Sequence, residues 1–133
     1  MRFLAFALCF LAGITGNAYA ESFVKSAKPG EATLMHVYQS WTKDCQNKPG
    51  TVKVVSKPAH GTLTPTEVPS VIGVSRKKPE KTAHCKGTPT NGYRVDYISE
   101  PGFHGSDRFT IQFIYGKNNN DIDDYTVNVL EPD

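Results

Sequence analysis

The sequence has no apolar run longer than residues 3–14. Twelve residues span roughly 18 Å as a helix, well short of a ~30 Å hydrocarbon core, so no transmembrane helix is expected. Charge of one sign is equally scarce. Fifteen Lys and Arg oppose thirteen Asp and Glu for a net +2, which excludes the strongly basic field that draws a protein onto nucleic acid. Catalytic signatures are missing too: there is no G-x-S-x-G, no H-E-x-x-H and no glycine-rich phosphate loop, and no cofactor is implied. Apolar spacing of three and four residues is nowhere sustained past two turns beyond residue 20, so helices contribute little to the expected fold.

What the N-terminus does contain is an address. Met1-Arg2, the apolar run and Ala18-Tyr19-Ala20 ahead of Glu21 have the order of a secretory signal peptide cleaved after Ala20. Cys9 follows Phe6-Ala7-Leu8, which argues against a lipidated cysteine at the cleavage point. Cleavage leaves residues 21–133 as one domain, secreted or periplasmic, with two cysteines, Cys45 and Cys85. In an oxidising compartment these are expected to pair, and closing a loop of about forty residues is worth on the order of 4 kcal/mol in chain entropy. A shared metal is the rival reading. Neither cysteine sits in a C-x-x-C, and on an extended chain His84 would point away from Cys85.

Alternation with a period of two recurs instead. Phe109, Ile111, Phe113 and Tyr115 oppose Arg108, Thr110 and Gln112; Tyr125, Val127 and Val129 repeat the pattern after a Gly- and Asn-rich stretch at 116–121, predicting a C-terminal hairpin. Tyr93, Val95 and Tyr97 form another apolar face in a run opened by Asn91-Gly92, and Val52 and Val54 a shorter one stopped by Pro58. Residues 34–41 read as a strand with either face inward, and 71–74 as a weaker one. About seven short strands predict an all-β, antiparallel sandwich of immunoglobulin-like type.

Two motifs carry a resemblance. Pro58-Ala59-His60-Gly61-Thr62-Leu63 and, further on, Tyr97-Ile98-Ser99-Glu100-Pro101-Gly102-Phe103-His104-Gly105-Ser106-Asp107-Arg108-Phe109 resemble those of the bacterial cadherin-like modules that occur in tandem in large surface proteins. The resemblance covers about sixty residues and implies a structural role for Pro58, His60, Gly61, Tyr97, Pro101, Gly102, Phe103, Gly105, Asp107 and Phe109. Physical reasons accompany it. Gly102 and Gly105 permit positive φ on either side of Phe103 and fold its ring under the sandwich end, Asp107 accepts backbone hydrogens, and Gly61 permits a sharp turn. Ser99 replaces the family's first proline, the connection from Thr64 to Thr90 is long, and the acidic inter-repeat calcium linker is absent.

Residues 75–90 are expected to form an exposed basic loop insertion, with Arg76, Lys77, Lys78, Lys81 and Lys86 as candidate contacts to an unknown protein or an anionic polymer. Trp41 and Tyr38 could add stacking. Four histidines, His36, His60, His84 and His104, have no metal-ligand spacing. Asn118, Asn120 and Asp124 mimic alternating calcium ligands, but a solvated hairpin tip is the simpler reading. His104, Ser106 and Asp107 supply the letters of a triad on a turn too tight for assumed convergence. The resulting expectation is an exported, non-catalytic binding or adhesion-type module that recognises a macromolecule; the alternative is a small periplasmic copper- or zinc-binding protein using some of the histidines.

Overall fold

A computed structural model describes residues 20–75 and 79–132. Residues 1–19, which carry the signal-peptide reading, and Arg76, Lys77 and Lys78 lie outside the described residues.

Seven strands run in chain order: β1 (Glu21–Ala27), β2 (Thr33–Tyr38), β3 (Thr51–Ser56), β4 (Gly61–Val71), β5 (Pro89–Ser99), β6 (Gly105–Gly116) and β7 (Asn119–Val129). One sheet has the order β1-β7-β6-β3 and the other β2-β5-β4. An immunoglobulin-type sandwich places its second, fifth and fourth strands in one layer and its third, sixth and seventh in the other, and that is the division here. All pairings are antiparallel except that of β1 with β7, which is parallel from Glu21 opposite Asp123 to Ala27 opposite Val129.

Period-two alternation explains the burial. Phe109, Ile111 and Phe113 on β6, Tyr125, Val127 and Val129 on β7, and Val95 and Tyr97 on β5 are all buried. Phe23, Val52, Val54, Leu63, Tyr93 and Phe103 pack partly buried around them. Stacked rings cross from one layer to the other, Phe23 to Tyr125 at 5.3 Å, Tyr125 to Phe109 at 4.9 Å and Phe109 to Tyr97 at 6.0 Å. Phe23, Tyr125 and Phe109 belong to one sheet and Tyr97 to the other, and Phe113 adds further crossings to Tyr38 at 5.3 Å and Tyr93 at 5.7 Å. A buried ring contributes roughly 1.5–3 kcal/mol of transfer free energy. On β2 the inward residues are Met35 and Tyr38, three apart, because the register shifts between Leu34 and His36. A bulge of this kind breaks simple alternation and leaves neither face fully apolar in the sequence.

Several expectations need correction. β4 continues through Pro65 and Pro69 to Val71; both prolines are tolerated because β4 pairs with β5 alone and is an edge strand. Residues 71–74 are therefore no separate strand: Val71 closes β4, and Ile72 is buried and exchanges backbone bonds with Thr88 and Gly87. Pro89 and Thr90 already belong to β5, which trims the 75–90 insertion at its C-terminal end and, with β4 running to Val71, shortens the Thr64 to Thr90 connection at both ends. A four-residue helix α1 (Pro79–Thr82) and a 3-10 turn at Ala83–Cys85 interrupt the expected loop.

Gly92 lies inside β5, where a Cβ would approach Val37 to 2.6 Å and Ser70 to 3.3 Å. Its bareness makes room for Val37 of β2. Nearby, Gln39 reaches from beyond β2 to the end of β4, where it donates to Ser70 Oγ and the Val71 carbonyl at 2.7 Å each and accepts from the Gly73 N–H at 3.2 Å. Gly61 is likewise no positive-φ turn. It opens β4, and a Cβ there would fall 2.4 Å from the ring of Tyr97. The glycine is required by the buried tyrosine, not by backbone strain.

Candidate functional site

The two motifs meet at one end of the sandwich and build a closed polar lock. Asp107 projects from β6 into the interior, 3 % exposed. Its Oδ1 accepts from the N–H of Ala59 at 2.9 Å and of Arg108 at 2.9 Å; its Oδ2 accepts from the His60 N–H at 3.0 Å and the Tyr97 hydroxyl at 2.7 Å. Burial first, then the bond to this carboxylate, pushes the Tyr97 phenol well above its ordinary range. Gly102 and Gly105 take positive φ, 80° and 122°, and the ring of Phe103 stacks on His60 at 4.2 Å. Ser99, where the resemblance has proline, is buried and accepts from the Gly30 N–H at 3.0 Å. β3 ends at Ser56, two residues before Pro58, and Pro101 opens the corner turn. Asp107 is thus an acceptor for four donors. Ser106, its neighbour on the strand, is exposed on the other face, and the triad letters do not converge.

Near the other end of the β6–β7 hairpin lies a cavity of about 760 Å³, within the usual range for ligand pockets. Its walls come from four places: His36 and Tyr38 of β2 with Trp41 beyond it; Glu21 at the start of β1; Tyr115 and Asn118 to Asp121 at the hairpin tip; and Val71 at the end of β4 with Val74 and Ser75 beyond it and Thr82 of α1. Val71 and Val74 are exposed on its rim. The hairpin turns on Lys117 and Asn118 alone, so Asn119 to Asp121 already belong to β7. Asn120 stands opposite Ile114, and Asp124 opposite Thr110, with which it is hydrogen-bonded. Four residues along a strand separate the two by about 13 Å, and the calcium mimic does not assemble.

Below the cavity, Asp123 is 1 % exposed on the core face of β7. Tyr38 donates to its Oδ2 at 2.8 Å, which leaves the Tyr125 hydroxyl to donate to Tyr38 across 2.9 Å. Burial above all, reinforced by Tyr125 and Asp123, raises the Tyr38 phenol far above its usual value. The sequence reading ends the turn at 121 and starts the apolar face at Tyr125, leaving this carboxylate unassigned. The signal was the odd-numbered series Asp121, Asp123, Tyr125, Val127, Val129, which continues one face without a break.

Cys45 and Cys85 form a disulfide with Cα atoms 5.2 Å apart. Cys45 sits at φ 61° in a tight turn closed by its N–H to the Thr42 carbonyl at 3.0 Å; Cys85 is fully buried. Of the basic candidates, Lys81 and Lys86 are exposed, while Arg76, Lys77 and Lys78 fall outside the described residues. Ser75 and Thr82, on either side of that cationic stretch in sequence, both line the cavity. The histidines do not converge: among the described residues the one cluster of three or more such ligand side chains is Cys45, His84 and Cys85. No described helix is long and apolar enough to cross a membrane.

No family model matches the chain and no curated protein matches it. Among solved structures, the solution structure of amebosin is similar with a TM-score of 0.44 and 10 % identity, over 84 % of this chain and 99 % of that one.

Proposed function

We propose that this chain is an exported, non-catalytic binding module of the cadherin-like kind, and that it recognises a macromolecular partner with the cavity end of its sandwich. The observation that carries the reading is the contrast between the two ends. At one, the motif polar groups are consumed internally by Asp107. At the other, a 760 Å³ concavity is lined by an indole, amides, carboxylates and exposed valines, a mixture of aromatic anchors and orienting polar groups that suits recognition. The cations between Ser75 and Thr82 in sequence, of which Lys81 is exposed, favour an acidic protein face or an anionic polymer as the partner. A scaffold whose loops cluster at its ends is commonly used in this way, though function resides in the site and not in the fold.

The test is capture from the native secretome or periplasm by the mature chain with its disulfide intact. A specific partner is expected that is released by salt and lost both on changing Lys77, Lys78 and Lys81 to Glu and in the rim variant Val74→Asp. Retention that is indifferent to salt and to both variants overturns the proposal.

A further inference from the structure

We propose that Cys45, Cys85 and His84 form a site for a thiophilic d10 cation, represented by Zn²⁺, whenever the disulfide is open. A strand at residues 84–85 would send the two side chains to opposite faces, but the chain there is the 3-10 turn Ala83–Cys85, in which successive side chains are about 120° apart. The result is that both sulfurs and a ring nitrogen of His84 lie within 4.8 Å of one another. Tetrahedral Zn²⁺ with 2.3 Å bonds to sulfur holds its thiolates about 3.8 Å apart, a separation the two sulfurs can take once the bond between them is broken.

A second contact points the same way. His84 Nε2 lies 2.9 Å from the Lys43 carbonyl oxygen, so Nε2 carries the proton and donates, and Nδ1 keeps the lone pair. Metal-binding imidazoles are held by this kind of outer hydrogen bond, which fixes tautomer and ring orientation. Cys85 is buried, Cys45 half-buried and His84 exposed, so the site opens to solvent on the His84 side, where water or an incoming ligand can take the fourth position. Three protein donors with one open position describe an exchangeable site, not a sealed structural one. Soft sulfur donors select Zn²⁺ or Cu⁺ over Mg²⁺ or Ca²⁺.

The chemistry balances with a dithiol as reductant. The dithiol gives two electrons and two protons to the Cys45–Cys85 bond and leaves as its own disulfide; the two thiols then lose their protons as the cation binds. Oxidation and metal binding therefore compete for the same pair of sulfurs.

The experiment uses the mature chain, reduced under anaerobic conditions and titrated with Zn²⁺ alone against a chromophoric chelator, with native mass spectrometry for stoichiometry. One Zn²⁺ per reduced chain is expected, none on the oxidised chain, and at least tenfold weaker binding for His84→Ala with both thiols still titratable. Should reduction unfold the chain, Zn²⁺ is expected to restore the β-sheet circular dichroism spectrum. No stoichiometric retention, equal affinity in His84→Ala, or binding without recovery of the spectrum overturns the proposal.

Discussion

Replacing Asp107 with Asn removes charge while nearly preserving shape, and the lock around it makes the outcome calculable. The native carboxylate accepts from three backbone N–H groups and the Tyr97 hydroxyl. Asparagine has one acceptor oxygen, so its amide NH₂ must face either the Ala59 and Arg108 donors or those of His60 and Tyr97. Hydrogen bonds to a charged acceptor contribute about 1.5–3 kcal/mol each, and a buried donor left without a partner costs about 1–3 kcal/mol. Ala59 and His60 are exposed enough to regain water, whereas Tyr97 is fully buried. A net loss of about 2–3 kcal/mol follows for Asp107→Asn and about 4 kcal/mol for Asp107→Ala, against a total of about 5–15 kcal/mol for a domain. In a domain of this size the first corresponds to a fall in melting temperature of about 8–12 °C. Urea denaturation of the single variants, of Tyr97→Phe and of the double variant forms a cycle in which a coupling of about 1–2 kcal/mol is expected. An Asp107→Asn midpoint within about 0.5 kcal/mol of wild type, or strict additivity with Tyr97→Phe, would refute the assignment of Asp107 as the acceptor that joins the two motifs.

Gly61→Ala should cost about 1–3 kcal/mol because its methyl falls on the Tyr97 ring; in a Tyr97→Leu background most of that cost should disappear in the same denaturation assay. Alkaline pH should weaken the fold through Tyr38 and Tyr97, whose phenols are raised in the folded state. Below the ordinary tyrosine value near 10 both states are protonated and the stabilisation is complete; above it the unfolded chain sheds protons that the folded chain keeps. Stability should then fall by up to about 1.4 kcal/mol per pH unit for each residue, and Tyr38→Phe should flatten the melting-temperature profile between pH 9 and 11. Reducing Cys45–Cys85 without added metal should cost on the order of 4 kcal/mol, read as a lower denaturation midpoint of the reduced chain.

The parts of this molecule that could be read from its residues are those where one side chain face meets one environment. β6, the second half of β7 and the latter part of β5 alternate cleanly and are legible from their residues, as is the positive-φ corner at Gly102 and Gly105; the start of β7 at Asn119 is hidden in a stretch whose Asn and Asp residues read as turn. The hidden parts are those where a residue answers to a distant partner. Gly61 and Gly92 look like turn formers, yet one makes room for Tyr97 and the other for Val37. Pro65 and Pro69 look like breakers, yet an edge strand has a side on which no ladder bond is needed. β1 is obscure because its partner β7 lies a hundred residues away and Val24 is 71 % exposed, so no local apolar face announces it.

The same distinction separates the two ends of the sandwich. Asp107 was legible because the motif around it is local; the cavity was not, because it is assembled from Glu21, Trp41, Val74 and Asp121, which have nothing in common until the strands are placed. His84 belongs to the second group. On an extended chain its neighbour Cys85 would face away from it; the 3-10 turn Ala83–Cys85 brings the two to one side. A local conformational error of one element is thus enough to remove a candidate metal ligand from view, which makes the affinity of the His84→Ala variant the measurement that decides whether the turn has chemical meaning or only closes a loop.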